Sequence, residues 1–191
     1  MKLPAAYDCE LTGQPFDKCD LCEGDLLVAD HSYHIVKARI NRSGMDAETV
    51  LEAAFCDDCL QSEMPKLSDE SLEAVMIFRG ESLQNGPLAL VSPASGVPDR
   101  CCFCHQSTDQ PRTFSLHAEV QTDGHGQPQL RVRPSVMMMV GTPVAFCSDC
   151  NEALEGRLSS STRERFQDFY NNLIGPDPSI ELDDAPLPML F

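Results

Sequence analysis

Tryptophan is absent from this chain of 191 residues, and aromatic residues of all kinds make up only 6% of it. A sequence so poor in large rings has little from which to build a core, so folding has to draw on something besides apolar burial. Long apolar runs are missing as well. The longest, "VMMMV" at 136–140, is far short of the ~20 residues a membrane-spanning helix needs. The opening stretch "MKLPAAYDCELTGQPF" lacks the apolar centre of an export leader, which sets the expectation of a cytoplasmic protein. Positive charge is scarce: 14 Lys and Arg stand against 30 Asp and Glu, for a formal charge of −16. Such a field repels phosphate backbones and anionic lipid surfaces, so nucleic acid and membranes are set aside as partners. No motif points to a small-molecule substrate, and another protein is the expected partner.

What the chain does have is cysteine, ten of them, with apolar residues at 42% and charged residues at 23%, the balance of a globular protein. In a reducing compartment disulfides are uncommon, and clustered thiols more often hold metal. Random placement would give about half of one C-x-x-C pair. The chain has four: Cys19/Cys22, Cys56/Cys59, Cys101/Cys104 and Cys147/Cys150. Only Cys9 and Cys102 are left over, read as free buried thiols, with Cys102 placed to exchange with Cys101.

The pairs belong to an internal duplication. "AFCDDC" (54–59) returns as "AFCSDC" (145–150), 91 positions later, and Ser68 and Ser159 each stand nine residues past the last cysteine of their half. Val75 and Phe78 have Phe166 and Phe169 at the same offsets. Ser32-Tyr33-His34 falls close to the place of Ser115-Leu116-His117, which aligns His34 with His117. The expected fold is α+β: two tandem small zinc-stabilised units, each a cysteine knuckle, a β-hairpin, a second knuckle and a helix, side by side. Their bounds are 17–80 and 99–174, with an N-terminal segment at 1–16, a Pro- and Gly-rich linker at 81–98 and an acidic, apolar-ended tail at 175–191.

Within the units, "SYHIVKARI" and "RTFSLHAEVQ" read as outgoing strands, "NRSG" and "TDGHGQP" as turns, and "QLRVRPSVMMMV" as a returning strand interrupted at Pro134. "MDAETVLEAAF" fits either a returning strand or a short helix. Ser161 with Glu164 fits a capping box for a helix carrying Phe166, Phe169, Tyr170 and Leu173, ended by Gly175-Pro176. Leu72, Val75, Met76 and Arg79 mark the first-half helix, with Gly80 as its stop.

A unit of about 75 residues needs a staple, and zinc supplies one. Two knuckles offer four thiolates to a tetrahedral ion with Zn–S near ~2.3 Å, and binding contributes on the order of 10–16 kcal/mol in zinc-finger peptides. The eight paired cysteines are therefore the predicted ligands of two structural Zn²⁺ ions. Four thiolates leave no position for water or substrate. Two such sites would take the charge from −16 to about −20. Each unit can close its own site, or a nested scheme can join the outer pairs to each other and the inner pairs to each other.

The order of knuckle, hairpin, knuckle and helix, carried by "CDLC", "CDDC", "CCFC" and "CSDC" and the helices after them, resembles the treble-clef class of zinc fingers. That class includes nucleases, nucleic-acid binders, ubiquitin-system modules and inert scaffolds, so the resemblance implies a fold and a metal more than an activity. The expectation is a structural or interaction module and not an enzyme. One alternative is a degenerate HNH-like nuclease, since "ADHSYHIV" between two cysteine pairs is similar to that family's Asp-His step, with His31 as the base and Asp30 beside it. The chain departs from the pattern: no proline follows in the usual place, Leu60 stands where a histidine should follow the last cysteine, and Asn151 stands there in the second unit. Another is an acidic nucleic-acid regulator. "TGQPFDKCDLC" with His31 and His34 misses the spacing of C₂H₂ fingers, and four pairs in two matched sets fit metal better than thiol redox catalysis. Lys37, Arg39 and Arg42 read as a solvated basic face, Met137, Met138 and Met139 as core, and the ending "LPMLF" as solvated tail.

Overall fold

The first half of the chain forms strands β1 (Ser32–Ile40) and β2 (Glu48–Cys56), a short helix α1 (Asp57–Glu63) and a longer one, α2 (Asp69–Gln84). The second half repeats the theme with β3 (Thr113–Thr122), β4 (Pro128–Leu130), β5 (Val144–Cys147), α3 (Ser148–Glu155) and α4 (Ser160–Ile174). These elements come from a computed structural model that describes residues 1–63, 66–84, 96–131 and 143–174. The fold is α+β, two similar units each carrying a four-cysteine cluster. Pro134, Met137–Met139, most of the linker and the C-terminal tail lie outside the described residues.

One antiparallel sheet joins the units, in the order β2-β1-β3-β4, with β5 also paired to β3. The β1–β3 ladder is its centre, running in register from Ser32↔Gln121 to Ile40↔Thr113. Counting outward from the cysteines fixes which residues are counterparts. Tyr33 faces Cys56 across β1–β2, and Phe114 faces Cys147 across β3–β5, so Tyr33 matches Phe114 and Val36 matches His117. Val36 and His117 also face each other across β1–β3, which places a local twofold axis through that pair. The counterpart of His34 is therefore Ser115, not His117. The stretch from Cys104 to Phe114 is one residue shorter than that from Cys22 to Tyr33, whereas matching the two histidines needs it one residue longer, so that alignment is two residues out of register.

"MDAETVLEAAF" returns as strand, pairing with β1 from Ile40↔Glu48 to Tyr33↔Cys56. Its helix-favouring Ala, Glu and Leu are overridden because ladder partners and a buried face decide marginal propensities. Along β2 the last four residues, Ala53–Cys56, are all buried. The turn after β3 closes on Asp123, whose Oδ1 accepts from the N–H groups of His125 (2.9 Å) and Gln127 (3.0 Å). Gly126 in that turn has φ +74, and a Cβ there would lie 2.3 Å from the Leu27 carbonyl oxygen, so only glycine lets this hairpin rest on the first unit.

One face of the sheet, with Tyr33, Ile35, Ala54, Ala118 and Val120, is covered by Leu3, Tyr7 and Phe16 of the N-terminal segment. Lys37 anchors that segment. It is fully buried, not solvated as its composition-based reading had it, and its Nζ donates to the Asp8 carbonyl and pairs with Glu52 at 3.1 Å. The same Glu52 carboxylate accepts from the Glu10 N–H (3.0 Å) and the Cys9 thiol (3.3 Å), so the buried charge is matched and bonded.

The long helices cross over. Phe169 of α4, in the second half, meets Phe55 of the first at 6.3 Å between ring centroids, while Phe78 of α2 stacks edge-on against Phe103 of the second at 4.9 Å. Helix α2 runs through Gly80 to Gln84 and does not stop there, since one helical glycine costs only about 1 kcal/mol and Ser82 remains buried, its hydroxyl donating to the Phe78 carbonyl at 2.9 Å. Ser159, two residues before the Ser161 of the proposed capping box, is the residue whose side chain begins α4: its hydroxyl accepts from the Thr162 N–H at 3.3 Å, as Ser68 does from Ser71 at 3.2 Å.

Candidate metal centres

The first cysteine pair of each unit lies on a tight turn of the same construction. The Cys19 N–H donates to the Gly24 carbonyl (2.9 Å) and the Glu23 N–H to the Cys19 carbonyl (2.8 Å). In the second unit the Cys101 N–H donates to Gln106 (2.8 Å) and His105 to Cys101 (3.0 Å). Glu23 and His105 both take left-handed backbone conformations, φ 58 and 60, which cost a non-glycine residue about 1–2 kcal/mol. The same strain at the same place in both halves is what turns the peptide N–H groups toward sulfur: the Cys19 thiol takes bonds from the backbone of Cys56, Cys22 and Leu21.

The second pair comes from a strand running into a helix. Cys56 ends β2 and Cys59 stands in the first turn of α1; Cys147 ends β5 and Cys150 stands in the first turn of α3. The Cys56 N–H donates to the Cys19 sulfur at 3.5 Å and the Cys147 N–H to the Cys101 sulfur at 3.4 Å, so backbone bonds lock each second knuckle onto the first of its own unit.

The result is two groups of four sulfurs, Cys19/Cys22/Cys56/Cys59 and Cys101/Cys104/Cys147/Cys150, each with all its sulfurs within 4.8 Å of one another. The sets close within each unit, which removes the nested scheme. Cys22 Sγ lies 3.9 Å from Cys56 Sγ, and Cys104 Sγ 3.6 Å from Cys147 Sγ. A disulfide needs ~2.0 Å, whereas a tetrahedron of thiolates at ~2.3 Å from an ion has edges of about 3.8 Å. The spacing fits the second arrangement, and all ten cysteines are free thiols.

Compared with known proteins, the chain matches no family model, no curated protein and no solved structure. The chemistry of the donor set must speak for itself. Thiol donation from Cys101 and then Cys150 holds the Cys147 thiol far below its usual range, while the hydrogen bonds of Cys150 to Cys101 first and Cys147 second push the Cys150 thiol far above it. Cys101, donating to Cys147, rises to about 11. In the first unit burial opposes the Cys19 thiolate, but its backbone N–H bonds bring it down to about 7, while burial and the sulfur neighbours drive Cys59 upward. Each cluster thus accommodates one thiolate readily and resists the next. A divalent cation at the centre would let four coexist.

The surroundings of the two clusters differ. In the first, His34 Nε2 bonds Asp57 Oδ1 at 2.9 Å, which holds that carboxyl below its usual range, and the imidazole is spent on the residue next to Cys56 rather than on a metal. In the second, Arg112 bonds Asp149 at 2.8 Å and reaches the Cys147 sulfur, setting a positive charge against the cluster. Sequence reasoning missed Arg112, because only the β3–β5 register brings it to the knuckle. The shared Asp before the second cysteine of "CDDC" and "CSDC" was a visible sign of the acidic residue it pairs with.

The leftover residues fall elsewhere. Cys9 is half-buried on Glu52, and Cys102 is 1% exposed with its thiol raised by burial. Cys102 occupies the place of Asp20: the N–H groups of the two donate to Ala145 and Ala54 at 2.8 and 2.9 Å. His31 stands just before β1 and donates its N–H to Thr122 Oγ1 at 2.8 Å, and Asp30 precedes it with φ 56. His117 belongs to neither group of four sulfurs. Among the described residues no helix is long and apolar enough to cross a membrane.

Proposed function

We propose that this chain is a structural zinc protein, with one Zn²⁺ in each Cys₄ cluster, that serves as a protein–protein interaction module in a reducing compartment such as the cytoplasm. The sulfur spacing carries the reading: separations of 3.9 and 3.6 Å match the edges of a zinc tetrathiolate. Bound zinc supplies cross-linking and charge neutralisation, and a four-thiolate shell leaves no coordination position for a reacting water. The chain's own residues do the rest. The backbone N–H groups of Cys56 and Cys147 steady the sulfurs, Arg112 offsets the negative charge of the second cluster, and strand and helix leave each second knuckle in fixed directions. The charge of −16 favours a protein partner over nucleic acid.

Elemental analysis of the purified chain tests the foundation, with two zinc ions per chain expected. Stripping them with a chelator should abolish the folded circular-dichroism signal, because metal binding on the order of 10–16 kcal/mol rivals a whole domain's stability. Iron in place of zinc would colour the protein and displace the zinc assignment while leaving the sites intact. A metal-free chain that remains folded would remove the proposal.

A further inference from the structure

Helix α2 is apolar on two sides. Its inner side packs Val75 and Phe78 against the second unit, with Ser71 and Ser82 buried beside them. On the outer side Leu72 is 49% exposed, Met76 66% and Ile77 51%. Leu72 and Met76 are one turn apart on one stripe, and Ile77 lies on the neighbouring stripe one turn beyond Glu73, so the three apolar side chains ring that carboxylate within two turns. Single apolar side chains on a surface need no explanation, but a cluster does.

The duplication supplies an internal control. Helix α4 has the same place in the other half, and the residues 91 positions on from Leu72, Met76 and Ile77 are Arg163, Gln167 and Asp168, all exposed. Equivalent positions on an equivalent helix therefore accept ordinary solvated side chains. Among the described residues, nothing packs on the outer face of α2 to require apolar side chains there.

The charge around the patch selects what would cover it. Asp69, Glu70 and Glu73 are exposed on the same helix, and the whole chain carries −16. A second copy would bring acid against acid. So would the chain's own segment 175–191, with Asp177, Glu181, Asp183 and Asp184. Resting on the interaction-module reading above, we propose that the outer face of α2 docks a basic amphipathic helix of a partner protein. Its apolar side chains would cover Leu72, Met76 and Ile77, and its Lys and Arg would meet the flanking carboxylates. Met76, unbranched and polarizable, suits such a contact.

The probe is a synthetic helix of leucine and lysine with leucines at i, i+3, i+4 and i+7, titrated by fluorescence anisotropy into the zinc-loaded full chain at physiological ionic strength. Two controls accompany it: a scrambled peptide of the same composition, and a peptide with glutamate for lysine. The test variant transplants the α4 residues, L72R/M76Q/I77D, which adds one charge of each sign and leaves the net charge unchanged. The expected result is saturable binding of the amphipathic basic helix, at least about tenfold weaker binding of the scrambled peptide and of the transplanted variant, and none of the acidic peptide. Should the transplant fold poorly, amide hydrogen exchange on the unaltered chain must show peptide protection at 70–82 and not at 160–171.

Equal binding of the scrambled peptide, affinity that survives the transplant, or no binding at all overturns the proposal. So does a concentration-dependent dimer abolished by the transplant, which would give the face to a second copy. Faster α2 exchange after removal of 176–191 would give it to the tail. Zinc content is read on the same preparations, so loss of the metal reading is seen separately from loss of the docking face.

Discussion

His117 sits on the local twofold axis, facing Val36 across the central ladder, with its ring edge-on to Phe146 at 5.1 Å. The residue is half-buried, and its Nε2 is sealed from water with no hydrogen-bond partner. Burial first, and the nearby His34 second, push its pKa down from 6.5 to about 3. The unfolded chain therefore takes up a proton that the folded chain refuses. The neutral ring's contribution to stability is fully present above about pH 6.5 and is lost as pH falls toward 3. Going from about pH 7.5 to about pH 5.5, the loss amounts to about 1.4 kcal/mol. His117→Val, which installs the residue of the other half, should remove that share of the acid sensitivity in urea melts of the zinc-loaded protein, whatever it does to stability at neutral pH. Acid release of zinc acts on both proteins alike and cancels in the difference. Equal slopes for the two would contradict the assignment. The contrast with the cysteines shows what a sequence makes legible at this scale. C-x-x-C carries its geometry in its own spacing, so all eight sulfurs could be placed. The counterpart of a histidine depends on ladder register, and matching the letters of Ser-x-His missed it by two residues.

The helices show the same division between local and distant causes. Ser68 and Ser159 are recognisable as matched positions, but what they match for is visible only in three dimensions. Their hydroxyls are 3.0 Å apart, Ser71 Oγ bonds Thr162 Oγ1 at 3.0 Å, and the Ser159 N–H donates to Ser71 Oγ at 2.9 Å. The starts of α2 and α4 thus cap one another across the axis through four hydroxyls, with Ser71 and Thr162 fully buried. Two like helix-dipole ends brought together would repel, and the shared oxygen acceptors offset this. Ser159→Ala should destabilise the protein by about 1 kcal/mol in denaturant melts. Because Ser68 and Ser159 bond to each other, Ser68→Ala and Ser159→Ala should combine non-additively, and strict additivity in the double-mutant cycle would refute reciprocal capping. Apolar spacing was enough to find both helices, although on α2 Leu72 and Met76 of the expected stripe face outward. It misplaced the start of α4 and the end of α2, since helix limits are set by these distant hydroxyls and by the packing of Phe78, not by Ser161 or Gly80.

At the scale of the whole molecule, repetition could be read from the letters, but the way the repeats are joined could not. A periodic apolar face says that a helix is covered; it does not say by which half. Here each long helix covers the other unit, and β1 pairs with β3, so the chain has the geometry of a twofold dimer with exchanged helices written as one polypeptide. A fragment ending at Gln84 would keep its four cysteines but lose the partner of β1 and the aromatic cover of Phe78. Those surfaces are nearly self-complementary. The axis runs through Val36, and Ser68 with Ser71 can meet a second Ser68 and Ser71 as they now meet Ser159 and Thr162. The zinc-loaded fragment should therefore run as a dimer in size-exclusion chromatography with light scattering, its β1 strands antiparallel about Val36. Val36→Asp should abolish the dimer, because it would place two carboxylates face to face in a buried strand pair. A folded monomeric fragment would show instead that the first unit closes its own core, and that the exchange of helices decorates the fold without holding it together.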